Sequence, residues 1–526
     1  MPVIKIAFSL LFLGIVCGFK DQAQCQPLFA IGNNFPGATY RTNSNARPPD
    51  ANGAAGTNYY VEFVNGRFSV HRKAGGSIFQ TLTDQLFWSR AGVTISGSFA
   101  VSDPRIFYDA SSQRWFACQI DFDPSRAINT NRFLIAVSAN SDPTGIWRGF
   151  AFAAEPGSNN FADFPTLGVD GKGVYLAGEM FDSSSRSVGT MLWSLPKSGL
   201  LANPPTIAGR TSFGLLSYPD RGEILQPAFS LDSTGSEDVL AVGNLGYDGL
   251  DHTTIVGSQI TNADNSPTLL GSTDITVEPY SIPFNPTQPD GTATLDDGDA
   301  RLSSGVFRVN GMLYATHGTE IDGRAAVRWY RLDATNFALL ESGTLSDPDL
   351  DLFYPSIAAN PAGTMVIAFN GSSLNSFVSS YAIAGSLSDG VTFFSNRLLL
   401  RAGTANYHDG GRTSRWGDYS TTRVDPVDPN KFWTIQTIAA GPSTWTTQIT
   451  ELLTATTLPA LAIQRSGANV ILSWPQSAIS FGLNSTPDLG LPTWTAVPGT
   501  YTTNSGLISI QIPATNDAAF FRLNML

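Results

Sequence analysis

Three aspartates and three arginines stand where their side chains could do chemistry together. Asp103, Asp163 and Asp418 each come shortly before a stretch that reads as a β-strand. Cleavage of a glycosidic bond needs two flanking carboxyl groups, one of them kept protonated by its surroundings. Arginine grips a sugar carboxylate through two parallel hydrogen bonds. The aspartates are therefore candidate catalytic residues of a glycoside hydrolase, with three candidate ligand-binding residues beside them: Arg105, Arg301 and Arg415.

Recognition without catalysis is the second hypothesis, and the sequence favours it. Trp416 and Tyr419 flank Asp418, and aromatic rings stack on sugars or anchor a protein partner. No Tyr/Glu nucleophile pair is evident, and the one stretch like an Asp-box, residues 386–393, has Asp389 one place out of register. The expected partner is a glycan or a surface protein. Exposed tryptophans would serve as further contacts unless they pack inside the fold: Trp88, Trp147, Trp329, Trp416 and Trp445.

A Gly-rich acidic loop, residues 290–299, is a candidate calcium site. Asp296, Asp297 and Asp299 offer the oxygen ligands that Ca²⁺ takes. Their spacing does not follow the EF-hand pattern, so a solvated acidic loop is the competing interpretation. No other cofactor is expected, because four scattered histidines provide no transition-metal motif, and a serine elbow and a P-loop are absent.

Composition limits the fold and the partners. Only 14% of the 526 residues are charged, and 50 Gly and 32 Pro interrupt the chain, which argues against a helical bundle. The net charge is −12 and no segment gathers five or six basic residues. Nucleic acid and anionic membrane surfaces rely on basic patches, so neither is an expected partner.

A repeated pattern predicts the elements that position these side chains. A Pro, Gly or Ser opens a strand-like stretch, Asp or Asn follows five residues later, and a second apolar run comes next. Asp and Asn side chains bond the backbone two residues on and so close hairpins. The turn residues recur at intervals of 50–78 residues, the size of a propeller blade. They are Asn58, Asp109, Asp170, Asp232, Asn310, Asn360 and Asp425.

Seven repeats predict an all-β chain with a seven-bladed β-propeller. Six or eight blades remain open, because Gly53 and Gly305 fit the pattern poorly and residues 262–298 could be an insertion. An array of β-sandwiches is the alternative. The last blade lacks one strand, which residues 27–46 could supply, leaving no open edge. If the first strand of each repeat is innermost, the candidate residues ring one mouth of the channel, together with Asp50, Asp299 and Asp351.

The two ends of the chain differ from the propeller region. Residues 1–24 resemble a signal peptide, with Lys5 before an apolar run too short to span a bilayer. We expect export to the cell surface or medium, with the periplasm as an alternative, and no membrane span in the mature chain. Residues 25–453 are assigned to the propeller, 454–459 to a linker and 460–526 to a β-sandwich. Cys118 is expected to be a buried thiol, with pairing to Cys25 left open.

Two resemblances follow from particular motifs. Residues 103–105, 108–109, 163–165, 168–170 and 415–419 (DPR, YD, DFP, GVD, RWGDY) look like secreted sialidase-like propeller proteins, most of them uncharacterised. Residues 470–475, 481–485 and 520–523 (VILSWP, FGLNS, FFRL) look like the terminal immunoglobulin- or fibronectin-like modules of exported planctomycete and verrucomicrobial proteins. The first resemblance implies a fold but no particular activity; the second implies a surface or sorting accessory.

Overall fold

The computed structural model describes residues 28–125, 130–232, 236–291, 293–388, 390–455, 461–476, 481–488, 493–504, 506–514 and 519–525. The expected signal peptide, Cys25 and residues 456–459 of the expected linker lie outside these ranges. The chain is all-β, with 57% of residues in strands and 3% in helices, as the composition predicts.

The first half of the chain holds three short helices and eighteen strands. The helices are α1 (Asp84–Arg90), α2 (Lys197–Leu200) and α3 (Tyr218–Arg221). The strands are β1 (Leu28–Thr39), β2 (Asn52–Ala55), β3 (Tyr59–Val64), β4 (Arg67–Arg72), β5 (Ile78–Leu82), β6 (Ala100–Asp109), β7 (Arg114–Phe122), β8 (Arg132–Ser138), β9 (Trp147–Ala153), β10 (Phe161–Val169), β11 (Gly173–Phe181), β12 (Ser187–Pro196), β13 (Thr211–Leu216), β14 (Glu223–Pro227), β15 (Phe229–Ser230), β16 (Ser236–Val242), β17 (His252–Thr261) and β18 (Thr268–Leu269).

The second half holds the remaining strands. They are β19 (Thr273–Tyr280), β20 (Thr294–Leu295), β21 (Phe307–Val309), β22 (Met312–Ile321), β23 (Arg324–Asp333), β24 (Leu339–Leu345), β25 (Asp351–Ala359), β26 (Met365–Ser373), β27 (Ser376–Ser388), β28 (Val391–Phe394), β29 (Leu398–Arg401), β30 (Thr413–Ser414), β31 (Thr421–Val424), β32 (Lys431–Gly441), β33 (Thr444–Ala455), β34 (Ala462–Ser466), β35 (Asn469–Pro475), β36 (Phe481–Thr486), β37 (Thr495–Ala496), β38 (Thr502–Asn504), β39 (Leu507–Pro513) and β40 (Phe520–Met525).

Within the described part of residues 28–455, the strands pair into seven antiparallel units built on four strand positions. The units are β2–β5, β6–β9, β10–β13, β14 with β16–β19, β21–β24, β25–β29, and β31-β32-β33-β1. A turn residue identified in the sequence lies between the first two strands of six units, and in the unit β6–β9 it is Asp109, the last residue of the first strand. Asp170, for example, accepts hydrogen bonds from the backbone N–H groups of Lys172 and Gly173 at 2.7 and 2.5 Å.

The first strands of the units form a ring. Contacts join β2 to β6, β6 to β10, β10 to β14, β21 to β25, β25 to β31, and β31 back to β2. The short strand β15 continues β14 and pairs in parallel with both β10 and β21. Every residue of β25 is buried, whereas β5 and β19, at the outer positions, are largely exposed. The arrangement is propeller-like, and the first strand of each unit is innermost, which was the condition for the candidate residues to ring one mouth of the channel.

The N-terminal strand closes this ring. β1 pairs antiparallel with β33, from Leu28 opposite Ala455 to Thr39 opposite Thr446. This confirms that the segment before the first repeat completes the last unit. Cys118 lies on β7 and is buried, as expected; its pairing with Cys25 falls outside the described residues.

The C-terminal strands form two small sheets, β34-β35-β39-β38 and β37-β36-β40. They share a cluster of buried side chains drawn from both sheets: Leu472, Trp474, Phe481, Leu483, Val497, Ile508 and Ile510. The sequence pattern predicts six strands here, at residues 461–465, 469–474, 481–485, 494–497, 507–512 and 520–523, and each is present within a few residues. The pattern missed β38 because Thr-Thr-Asn carries no apolar signal.

Candidate functional site

An acidic cavity of about 470 Å³ opens at the end of the ring where the inner strands begin. Five aspartates and two arginines line it, under a partly aromatic wall that includes Phe164, Tyr247, Phe284 and Tyr354. The charged residues are Asp163, Asp296, Asp297, Asp299, Asp418, Arg301 and Arg415.

A bulge repeated on the inner strands positions part of this lining. The register shifts in β10 between Asp163 and Thr166 and in β25 between Phe353 and Ser356. Phe164 and Tyr354 take left-handed backbone angles at these bulges, with φ of 49° and 45°. Bulges re-aim side chains and recur beside functional sites. The same shift occurs in β6 and β14, with Asp103 and Ile224 at the left-handed position.

A two-residue parallel pairing brings one acid and one base together. β20 pairs with β30 so that Leu295 lies opposite Ser414. Asp296 directly follows β20 and Arg415 directly follows β30. Asp296 Oδ2 and Arg415 Nη1 are 2.5 Å apart. Arg415 also reaches Asp418, with 2.7 Å between Nη2 and Oδ1.

The second arginine of the cavity, Arg301, is also paired with an aspartate. Arg301 donates from Nε to Oδ1 of Asp299 at 2.7 Å and from Nη2 to Oδ2 at 2.6 Å. The Tyr247 hydroxyl donates to Asp299 Oδ2 at 3.0 Å. Arg301 also lies over the Phe164 ring, 4.5 Å from its centroid. Both arginines of the acidic cavity are thus neutralised by aspartates of the same cavity.

Two carboxyls of the cavity, those of Asp163 and Asp299, differ in proton affinity. Burial raises the pKa of Asp163, and the negative charge of Asp418 acts in the same direction. Burial by itself would raise the pKa of Asp299 too, but the Arg301 charge and its hydrogen bonds hold that pKa below its ordinary value. The pKa values of these two carboxyls are therefore shifted in opposite directions within one cavity.

Two aspartates lie behind the cavity wall. Burial raises the pKa of Asp103 to about 7, and the charges of Asp163 and Asp418 add to that effect. Burial also raises the pKa of Asp50 well above its ordinary value, again with a contribution from Asp418. Asp50 accepts the backbone N–H of Asp418 at 3.0 Å. Asp50 thus supports the wall from inside the protein, whereas the Asp103 carboxyl accepts the hydroxyl of Ser102 at 2.7 Å.

Two polar atoms in the cavity lack partners among the described residues. Asp297 Oδ2 and the Tyr354 hydroxyl are buried without a hydrogen bond. Burial and the adjacent Asp296 raise the pKa of Asp297 well above its ordinary value. Unsatisfied buried polar atoms are costly, so this floor is suited to a ligand that donates and accepts hydrogen bonds.

The structure brings together four of the six acids and bases that the sequence singled out: Asp163, Asp418, Arg301 and Arg415 line the acidic cavity, and Asp103 lies just behind it. Arg105 is elsewhere engaged. It is 3% exposed, donates to the carbonyl oxygens of Pro165 and Ser303 at 3.0 and 3.2 Å, and stacks 3.4 Å from the centre of the Tyr419 ring. It connects neighbouring units and does not face the cavity.

The five tryptophans that the sequence singled out are packed inside the fold, which was the alternative to ligand contact, and the ligand-binding role expected of Trp416 and Tyr419 meets the same obstacle. Trp416 is 1% exposed and donates from Nε1 to Asn370 Oδ1 at 2.9 Å. Tyr419 is buried as well, with its hydroxyl bonded to the Pro104 carbonyl. Large apolar side chains fill the space between adjacent sheets, and these rings pack there. The other four tryptophans are also buried: Trp88, Trp147, Trp329 and Trp445.

The exposed aromatic residues of the cavity escaped the sequence analysis. Tyr247 is 68% and Phe284 55% exposed, and both lie on loops without periodic pattern. Tyr354 could have been found, since Tyr354-Pro355 repeats the motif of Phe164-Pro165 and Asp103-Pro104. A shared x-Pro step marks the bulge in each case.

The calcium hypothesis stays a prediction. Asp296 and Asp299 are each directed to a different arginine, Arg415 and Arg301. Across the part of the chain that the structure describes, no three His, Cys, Asp or Glu side chains gather closely enough to hold a metal ion.

No protein-family model and no curated protein matches this sequence. Solved structures of similar architecture include a protein of unknown function from Dyadobacter fermentans, at 10% identity and a TM-score of 0.38, covering 69% of this chain and 97% of that one. The GH93 α-L-arabinofuranosidase of Fusarium graminearum gives 10% identity and a TM-score of 0.37, covering 67% and 97%. Trypanosoma rangeli sialidase gives 12% and 0.34, covering 78% and 59%.

These similarities are too low to define a family, and the fold rests on the strand pairings above. None of the helices in the described ranges has the length and hydrophobicity needed to traverse a bilayer.

Proposed function

We propose that the acidic cavity binds an uncharged, hydroxyl-rich carbohydrate. The observation that carries this proposal is the charge pattern: five aspartates line the cavity, and three of them already pair with both of its arginines. Carboxylates accept hydrogen bonds from sugar hydroxyls. Its volume of about 470 Å³ falls within the roughly 300–1,000 Å³ typical of small-molecule sites.

The same pattern disfavours an anionic sugar. A bound sugar carboxylate would need a free guanidinium, and Arg301 and Arg415 would have to leave Asp299 and Asp296 to provide one. It would then face several uncompensated aspartates. A neutral sugar avoids both costs.

Two exposed rings complete the site. Tyr247 and Phe284 lie at the rim, and flat aromatic faces pack on the C–H faces of sugar rings. The polar floor at Asp297 and Tyr354 would then receive hydroxyl groups. This division of apolar rim and polar floor is suited to one or two sugar rings.

The architecture and location belong to the same proposal. The seven units are taken as blades of a seven-bladed propeller, residues 460–526 as an appended β-sandwich joined through residues 454–459, and the protein as exported. The acidic surface and the apolar N-terminal run support export. In this setting the propeller would present its cavity to glycans outside the cytoplasm.

Binding can be tested by calorimetry with the full chain, using neutral and acidic oligosaccharides chosen from a glycan array. Tyr247→Ala and Phe284→Ala should each weaken neutral-glycan binding about tenfold, or about 1.4 kcal/mol. Phe79→Ala is a matched control, since Phe79 is 48% exposed on β5, away from the cavity. Tighter binding of uronic or sialic acids than of neutral glycans would overturn the proposal.

Hydrolysis is a second candidate, favoured by the opposite pKa shifts of Asp163 and Asp299. Such a split matches the acid and base roles of glycosidases. A protonated Asp163 would donate to the leaving oxygen, while Asp299 or Asp418 would take a proton from water. Asp163→Asn should then abolish release of reducing ends while preserving glycan binding. Equal turnover by wild type, Asp103→Asn, Asp163→Asn and Asp418→Asn would exclude this candidate.

A further inference from the structure

A second cavity opens at the other mouth of the ring, where the inner strands end. It measures about 240 Å³ and is mainly apolar. Six of the seven units contribute to it, so it lies near the axis of the ring. One residue from each contributing unit is Ala54, Phe107, Leu231, Phe307, Pro361 and Arg423. We call it the apolar cavity.

Arg423 is the unusual member of this lining. Its residue is 5% exposed, and its guanidinium lies over the Phe229 ring, 4.0 Å from the centroid. Nη1 donates to the Thr422 carbonyl at 3.2 Å, while Nε is buried without a partner. Among the described residues no carboxylate forms an ion pair with it. Burial lowers the pKa of Arg423 to about 9, and the like charge of Arg105 acts in the same direction.

The carboxylate that lines the same cavity, Asp425, already has other partners. Asp425 Oδ2 lies 2.5 Å from Lys73 Nζ and accepts the indole N–H of Trp433 at 2.8 Å. Its other oxygen accepts the backbone N–H of Val427. Asp425 therefore closes a turn and neutralises Lys73, leaving the charge of Arg423 uncompensated. A desolvated charge without a counter-ion is costly, and stacking on a ring offsets only part of that cost.

We propose that the apolar cavity binds a small organic monocarboxylate with a short apolar body. The carboxylate would pair with the Arg423 guanidinium, whose planar fork matches two carboxylate oxygens. The apolar body would lie against Phe107 and Phe307, with Leu231, 43% exposed, at the opening. The volume is below the roughly 300 Å³ of the smallest typical drug-sized pockets, which limits the body to a short chain or one ring. This site is independent of the acidic cavity at the other mouth of the ring.

Calorimetry with the full chain and octanoate tests the proposal, with octan-1-ol and octylammonium as matched neutral and cationic probes. Octanoate should bind with a Kd below about 1 mM, at least tenfold more tightly than either matched probe. Failure of octanoate to bind in this range, or equal binding of octanoate and octanol, would overturn the proposal.

Three variants locate the site. Arg423→Gln should lower octanoate affinity at least tenfold, and Arg423→Lys should weaken it less, because it keeps the charge and loses the fork. If either variant fails to fold, Ala110→Trp keeps the test open: Ala110 is an exposed residue of the rim, so the indole blocks the opening and leaves Arg423 intact. Octanoate binding that persists in Ala110→Trp would place the ligand elsewhere and refute the assignment.

Discussion

Arg301 and Asp299 form a two-pronged ion pair at the mouth of the ring, with both carboxylate oxygens occupied by Nε and Nη2 of one guanidinium. The Asp299 side chain is fully buried and that of Arg301 is 20% exposed. Asp299 also accepts a hydrogen bond from the hydroxyl of Tyr247. The two residues of the pair thus reach an exposed ring, Tyr247, and the Phe164 ring of the inner strand β10.

Asp299→Asn should destabilise the folded chain by about 3 kcal/mol, because the substitution leaves the Arg301 charge poorly compensated in a mostly buried position. Denaturant unfolding of the full chain measures this. Asp248→Asn is the control: Asp248 pairs with His252 at the surface, and loss of an exposed pair costs less than about 1 kcal/mol. Equal effects of the two substitutions would show that the Arg301–Asp299 pair contributes little.

Stability should fall as the pH rises from about 4 to 7. The pKa of Asp103 in the folded protein is about 7, above its ordinary value of 3.8, so the folded state holds the proton more tightly than the unfolded state in this range. The free energy of unfolding therefore declines through this window, and ionising Asp103 costs on the order of 4 kcal/mol.

Unfolding measured at several pH values checks this dependence. Asp103→Asn should flatten the decline in part, since Asp50 and Asp163 shift in the same direction and titrate together with Asp103. Asp274→Asn, at an exposed position on β19, should leave the profile unchanged. A stability that rises between pH 4 and 7 would contradict the assignment of raised pKa values to this cluster.

Arg105→Lys should destabilise the protein by about 3 kcal/mol, because buried hydrogen bonds from a charged donor are lost. Lysine cannot reproduce the two hydrogen bonds to Pro165 and Ser303 or the flat contact with Tyr419. Tyr419→Phe removes only the hydroxyl bond to Pro104 and should cost about 1 kcal/mol. Thermal and denaturant unfolding of both variants provide the comparison. If Arg105→Lys left the free energy of unfolding unchanged, that result would argue against a structural role for Arg105.

Removal of residues 28–39 should cause association of the chain. Without β1, the outer edge of β33 is unpaired over the length of the strand, and open edges recruit other chains. Size-exclusion chromatography with light scattering measures this. A chain that lacks only residues 1–24 is the control and should keep the oligomeric state of the full protein. A milder variant is Gly37→Val, whose Cβ would lie 2.4 Å from Glu62 Oε1.

The regular part of the fold could be predicted from the sequence, because turn chemistry is local. Asp170 and Asn360 satisfy backbone groups within four residues, so their spacing revealed the hairpins and, through them, the ring. The convergence of Asp163, Asp418, Arg301 and Arg415 followed from placing each at the same end of an inner strand.

The partners of these charges could not be predicted, because they depend on pairings between distant segments. Arg415 meets Asp296 only because β30 lies beside β20, and neither two-residue strand has a periodic pattern. The burial of Trp416 depends likewise on Asn370 from another unit. A residue type alone does not distinguish a ring that stacks on a ligand from one that fills the space between sheets.

The pairing of β1 with β33 also determines the order in which the protein can become complete during synthesis. β1 is made before the other strands of the ring, yet its partner strand ends at residue 455. Until the ribosome has made that strand, residues 28–39 have no native neighbour across the ladder, and six units can form while the seventh waits. β1 can thus be secured only after residue 455 has been made, and until then an unpaired strand edge is exposed, which favours association with other chains.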